Sequence, residues 1–162
     1  MAAKAKSVVR SKSEGTAIWF LGSLFDIKAT GEETDGSLTV VEITVAPKSI
    51  GAPPHTHDCG ESVYIVDGKL KFHIDGGTTD TQAGSYMFFP AGTLEWFENE
   101  TATPARVLLT YTRPGIAKFF KEVGEPAKAR TLPPPPSGPP DFAKLAAVAQ
   151  KYGLELQQPP KH

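Results

Sequence analysis

Two of the four histidines in this 162-residue chain stand one residue apart, in Gly51-Ala-Pro-Pro-His55-Thr-His57-Asp-Cys-Gly-Glu61. On an extended segment, residues two apart leave the same face, so both imidazoles point one way. Pro53 and Pro54 stiffen the approach and bias it towards extended backbone. Glu61, four residues after His57, returns to that face once Asp58-Cys59-Gly60 turns the chain. Two imidazoles and a carboxylate on one side form the facial set that holds a divalent transition metal (Fe, Mn, Ni or Zn) and leaves coordination positions open. The competing reading of these residues is a metal-free polar cluster that binds substrate directly.

Glu95 shares an alternating face with Thr93, Phe97 and Asn99. As a fourth ligand it would harden the site towards Mn(II), Fe(II) or a water-rich Zn(II). It can equally orient a ligand histidine or serve as a general base. Two carboxylates without a cation repel, which raises the pKa of one of them. The remaining histidines offer little: His73 alternates against Leu70, Phe72 and Ile74 and so faces outward, and His162 is the last residue. Cys59 reads as a small turn residue and Glu42 as a solvent-facing one.

These residues must be positioned by strands. From Thr16 to Thr112 short apolar or alternating stretches are punctuated by Gly, Pro, Asp and Asn, which predicts strands at Ala17–Phe20, Leu24–Ala29, Leu38–Val45, Ser62–Val66, Lys69–Ile74, Tyr86–Phe89, Leu94–Glu98 and Arg106–Thr112. Asp-Gly pairs at 35–36, 67–68 and 75–76 mark the turns. Many short strands at this spacing predict an all-β antiparallel barrel or sandwich over residues 16–113. Residues 1–15 read as a basic, disordered tail. Residues 114–162 read as a helical and proline-rich extension. There Ile116, Phe119, Phe120 and Val123 form an apolar stripe, a polyproline run spans 133–140, and Asp141 caps a second helix. The two helices either cover a barrel edge or form a dimer arm. Most barrel aromatics should fill the core, with Tyr64 and Phe97 the candidates for lining a cavity that takes a planar ligand.

The segment His55–Gly68 resembles the first motif of the cupin superfamily: HxH, three residues, Glu61, six residues, Gly68. Gly84, Pro90-Ala91-Gly92, Glu95 and Asn99 resemble the second, with Glu95 where that family usually has a histidine. Three residues, rather than five, separate Gly51 from His55. The tail further resembles small quercetin-dioxygenase-like cupins. The resemblance implies a single-domain jelly roll, a double-stranded β-helix barrel with the metal inside and C-terminal helices beyond. It also implies a homodimer. By the same resemblance Glu61 would leave the metal to take a phenolic proton, and dioxygen would be the co-substrate. A redox-neutral isomerase, cyclase or lyase using Glu61 and Glu95 as acid and base stays open, as does a module that only binds a small molecule.

Composition narrows the classes further. Seventeen basic residues face eighteen acidic ones, but Lys4, Lys6, Arg10 and Lys12 all precede the first acid, Glu14. The remaining body, thirteen basic against eighteen acidic, carries about −5 and lacks the basic face that a phosphate backbone needs. No apolar run is long enough to span a bilayer, and the polar start does not read as a secretory signal. A single cysteine suits a reducing, cytoplasmic setting.

Overall fold

Alternation of buried and half-buried residues along Thr39–Val45, with Thr39, Val41, Ile43 and Val45 inside, shows how one face of each strand builds the core. In the computed structural model, which describes residues 6–158, ten strands precede the first helix: β1 (Thr16–Phe20), β2 (Ser23–Ala29), β3 (Thr39–Val45), β4 (Ser49–His57), β5 (Glu61–Asp67), β6 (Lys69–Ile74), β7 (Gly77–Gln82), β8 (Tyr86–Phe89), β9 (Glu95–Asn99) and β10 (Ala105–Tyr111). Then follow α1 (Ile116–Val123), β11 (Glu125–Pro126), α2 (Phe142–Lys151) and β12 (Leu154–Leu156). All pairings are antiparallel. One sheet runs β11-β1-β2-β3-β10-β5-β8 and the other β12-β4-β9-β6-β7. Together they form a jelly roll whose interior is filled by Ile43, Val63, Ile65, Phe72, Val107 and their neighbours.

The predicted strands are present within a residue or two, and three features depart from expectation. The His55 segment is itself a nine-residue strand. It tolerates Pro53-Pro54 because its pairing with β9 is bulged between Ala52 and His55, where no ladder N–H is needed. Gly77–Gln82 forms β7 although five of its six residues are exposed and polar or glycine, because β6 supplies the whole pairing. The extension, in turn, is knitted into both sheets: β11 pairs β1, and β12 pairs β4 opposite His55–His57.

The α1 stripe is spent on its own barrel. Phe119 and Phe120 pack edge-on or tilted against Phe20, Phe25 and Tyr111, leaving no apolar helix face for a dimer arm. Asp141 caps α2 as predicted, accepting from the Lys144 backbone N–H. Residues 1–5 lie outside the described residues, and 6–15 form no helix or strand, yet Lys28 Nζ donates to the carbonyls of Ser11, Lys12 and Glu14 and holds this stretch on the body.

At Gly51 the backbone of β4 passes close against a core side chain. A Cβ there would lie 2.0 Å from Phe97 Cε2, and Phe97 is buried in the core. Gly51→Ala is therefore expected to cost about 1–3 kcal/mol by overpacking and to lower Tm by several degrees in a calorimetric scan. Gly138→Ala, whose Cβ meets nothing within 4 Å, should leave it nearly unchanged.

Candidate metal centre

His55 and His57 leave β4 on its inner face, Glu61 opens β5, and Glu95 opens β9. The register explains the meeting. His55 pairs directly with Glu95 across β4–β9, and the turn at Asp58–Gly60 folds Glu61 back onto His57. That turn is held by Thr112 Oγ1, which accepts from the Gly60 N–H, and by the Gly153 carbonyl, which accepts from Asp58 N–H. His55 Nε2 lies 2.7 Å from Glu95 Oε1, and His57 Nε2 lies 2.9 Å from Glu61 Oε2 and 3.7 Å from Glu95 Oε1. One donor atom from each of the four residues falls within 4.8 Å of every other.

All four side chains are buried, Glu95 to 1% exposure. His55 Nδ1 is 2.7 Å from the Pro53 carbonyl, the partner that places the ring proton on Nδ1 and turns the Nε2 lone pair inward. Both ring nitrogens of His57, Glu61 Oε2 and Glu95 Oε2 are buried without a hydrogen-bond partner. Although His57 Nε2 and Glu61 Oε2 are close, they meet off the hydrogen-bond axis, so what joins them is charge. Buried polar atoms left unmatched around one point are costly. Two nitrogen and two oxygen donors suit a divalent cation, and that is how these residues fit one.

The electrostatics are divided unevenly. Burial disfavours the His57 cation, but contact with Glu61 and then Glu95 outweighs it and sets the pKa at about 9. Burial would also raise Glu95, yet His55 first and His57 second draw it down to about 2. For Glu61, burial and then repulsion from Glu95 win over the attraction of His57, and its pKa is raised. Beside them, burial pushes the Tyr111 phenol well above its usual value.

Phe97 lines the cavity next to the donors. Tyr64 does not. Its side chain stands on the outer face of β5, 45% exposed, because strand alternation puts Val63 and Ile65 inside and Tyr64 between them outside. Tyr86 and Phe88 also point outward from β8, so the aromatics are less concentrated in the core than their number suggested. Asn99 faces inward but is spent on loop structure, donating to the Thr103 carbonyl and accepting from Thr101. Cys59 is a buried free thiol, and the half-buried Glu42 meets Arg106 on the outer face. His73 is outside, stacked on Trp96 at 3.6 Å and beside Glu98. His162 lies outside the described residues.

Tyr111 was missed, although the inward alternation of Ala105, Val107 and Leu109 along β10 leads to it. Its ring centroid is 5.3 Å from that of His57. Also missed were Phe119, Phe120, Leu145, Leu154 and Leu156, which enter the cavity from the extension.

A family model described as a cupin domain matches residues 41–111, the stretch that carries all four donors. The quercetin 2,3-dioxygenase of Bacillus subtilis is 29% identical over 151 residues, 90% of this chain, and the chain spans 44% of that relative's length. A cupin described as RmlC-like from Shewanella frigidimarina superposes with a TM-score of 0.57 at 21% identity, covering 72% of this chain and 99% of that one. A cupin-superfamily sugar phosphate isomerase from Silicibacter pomeroyi gives 0.51 at 26% identity over 58% of this chain and 61% of its own. Barrel, donor spacing and relatives agree in making this chain similar to the small cupins, with the cupin-domain match confined to residues 41–111.

Proposed function

We propose that the chain is a metal-dependent enzyme acting on a small, oxygenated, aromatic substrate, in the manner of a quercetinase-like dioxygenase. The carrying observation is the convergence of His55, His57, Glu61 and Glu95 on one buried point within an otherwise apolar cavity. A divalent transition metal bound there supplies Lewis acidity and a template for substrate and dioxygen. Glu61, whose pKa is raised, is the group suited to take the proton of an enolic or phenolic hydroxyl. Glu95, held ionised, keeps His55 in place and adds an oxygen donor. Phe97 and Tyr111 flank the donors and offer ring faces to a planar ligand. Among the described residues no lysine or arginine lines this cavity, which argues against a sugar phosphate or dicarboxylate as substrate. The Bacillus relative's name supports the oxidative reading.

A second reading, redox-neutral isomerisation, cyclisation or lysis, is favoured by one observation: the two carboxylates have pKa values pushed in opposite directions, as an acid/base pair requires. The unpaired thiol of Cys59 supports a cytoplasmic setting, and among the described residues no helix is long and apolar enough to cross a membrane.

We also read the chain as a homodimer, through β8 rather than α1. Three of the four sheet edges are guarded: β11 by Glu125 and Pro126, β12 by Glu155 and β7 by Asp80. The fourth, β8, is Tyr-Met-Phe-Phe, and Tyr86 (64% exposed) and Phe88 (53%) stand beside the exposed Tyr64. A second copy's β8 is the partner that would satisfy both the edge and the aromatics.

Four outcomes are expected. Protein purified without chelator should hold close to one equivalent of transition metal. Metal affinity should rise about tenfold per pH unit while His57 carries a proton that the metal must displace, and should flatten above its pKa of about 9; calorimetric titration across buffers reads this directly. A flavonol should drive oxygen uptake, and Glu61→Gln should lower kcat by about 100-fold or more while ligand binding persists. Turnover at an unchanged rate under nitrogen would instead establish the redox-neutral class, and binding without turnover a binding module. In light scattering, the wild type should weigh twice 17.3 kDa and Phe88→Lys should be monomeric.

A further inference from the structure

The space beside the donors is small. At about 40 Å³ it holds a few waters, not a molecule of several rings. Across a thin wall lies a groove of about 840 Å³, between the β1–β2 hairpin, the end of α1, the start of α2 and the proline-rich strap. Phe20, Leu21, Pro53 and Leu145 line both spaces. The strap that roofs the groove is anchored at its start, where Trp19 Nε1 donates to the Thr131 carbonyl and Arg130 meets Asp26, and at its end by the Asp141 cap of α2.

The wall carries a local irregularity. Leu21 and Gly22, the two central residues of the β1–β2 turn, have φ of +50° and +76°. Such a turn ordinarily takes Asn-Gly or Gly-Gly, and a leucine held left-handed is strained. The other non-glycine residues at positive φ among the described residues are Asp35, Lys48 and Asp75, all polar. An apolar side chain is thus kept, at a conformational cost, between the groove and the metal cavity. The groove's charged residues do not suit an anion: Glu122 is paired with Lys151, Asp141 is spent on its helix cap, and Lys144, the one cation among its described lining residues, is offset by Glu125.

We infer that the groove under the proline-rich strap is the binding site for the apolar, uncharged ring portion of the substrate, whose chelating end reaches the four donors through the Leu21–Leu145 wall. This assignment rests on the proposed metal-chelating function. A second hollow, of about 320 Å³ beside Cys59 and Arg113, shares only His57 with the metal cavity and is the rival entrance.

Two probes separate the possibilities, titrated into the metal-loaded protein with binding read by calorimetry. Maltol and 3-hydroxyflavone carry the same hydroxypyranone chelate, and only the second adds a fused ring and a phenyl group. Gly138→Trp and Val148→Trp fill the groove from the strap and from α2; Gly138 has open space around it, so folding is not at stake there. Each should weaken 3-hydroxyflavone about tenfold or more and leave maltol within about twofold. Leu21→Gly, which opens the wall, should tighten 3-hydroxyflavone relative to maltol. Unchanged 3-hydroxyflavone binding in both tryptophan variants overturns the groove assignment alone, and a loss in Gly115→Trp instead transfers the entrance to the second hollow. If neither probe binds the wild type, the chelating function falls and the groove assignment with it.

Discussion

Two carboxylates buried beside two imidazoles, inside a barrel otherwise filled with Val, Ile and Phe, are the constraint around which this molecule is arranged. Burying charge is costly unless each group is matched. Here the matching is incomplete by hydrogen bonds alone, since oxygens of both glutamates and both nitrogens of His57 lack a partner. The apolar walls sharpen this imbalance because they strengthen every charge interaction within them. The same burial that makes Glu61 a stronger base makes the cluster receptive to a cation.

The extension completes this arrangement. Its β12 pairs the strand that carries both histidines, and Leu154 and Leu156 enter the cavity from that pairing. Helix α1 lays Phe119 and Phe120 over the barrel end, where a cluster of aromatic contacts with Phe20, Phe25 and Tyr111 closes it. A site that must exclude water from charged groups gains from such a plug. The consequence is a small interior and a larger space outside it, separated by the β1–β2 turn. The residues of that wall, Phe20 and Leu21 among them, also belong to the packing of the barrel end.

His55 and His57 were legible because period-two alternation is a local property of an extended chain, and Glu61 because a three-residue turn allows few return paths. Phe97 followed from the alternation that places Glu95. Tyr64 was misplaced because an aromatic in a strand carries no mark of which face it is on until the register of its neighbours is known. Tyr111, at the end of a readable alternation, was passed over because nothing local ties β10 to β5.

Local chemistry in the chain determined the strands, the turns, the helix cap at Asp141 and the set of four candidate ligands, since each depends on spacing over a few residues. Tertiary structure alone decided that Glu95 stands directly across from His55, that the α1 stripe is covered by its own barrel, and that the extension walls the cavity of the four candidate donors. Those outcomes depend on which strands become neighbours and on burial. Both are set by the competition of the whole chain for a single core.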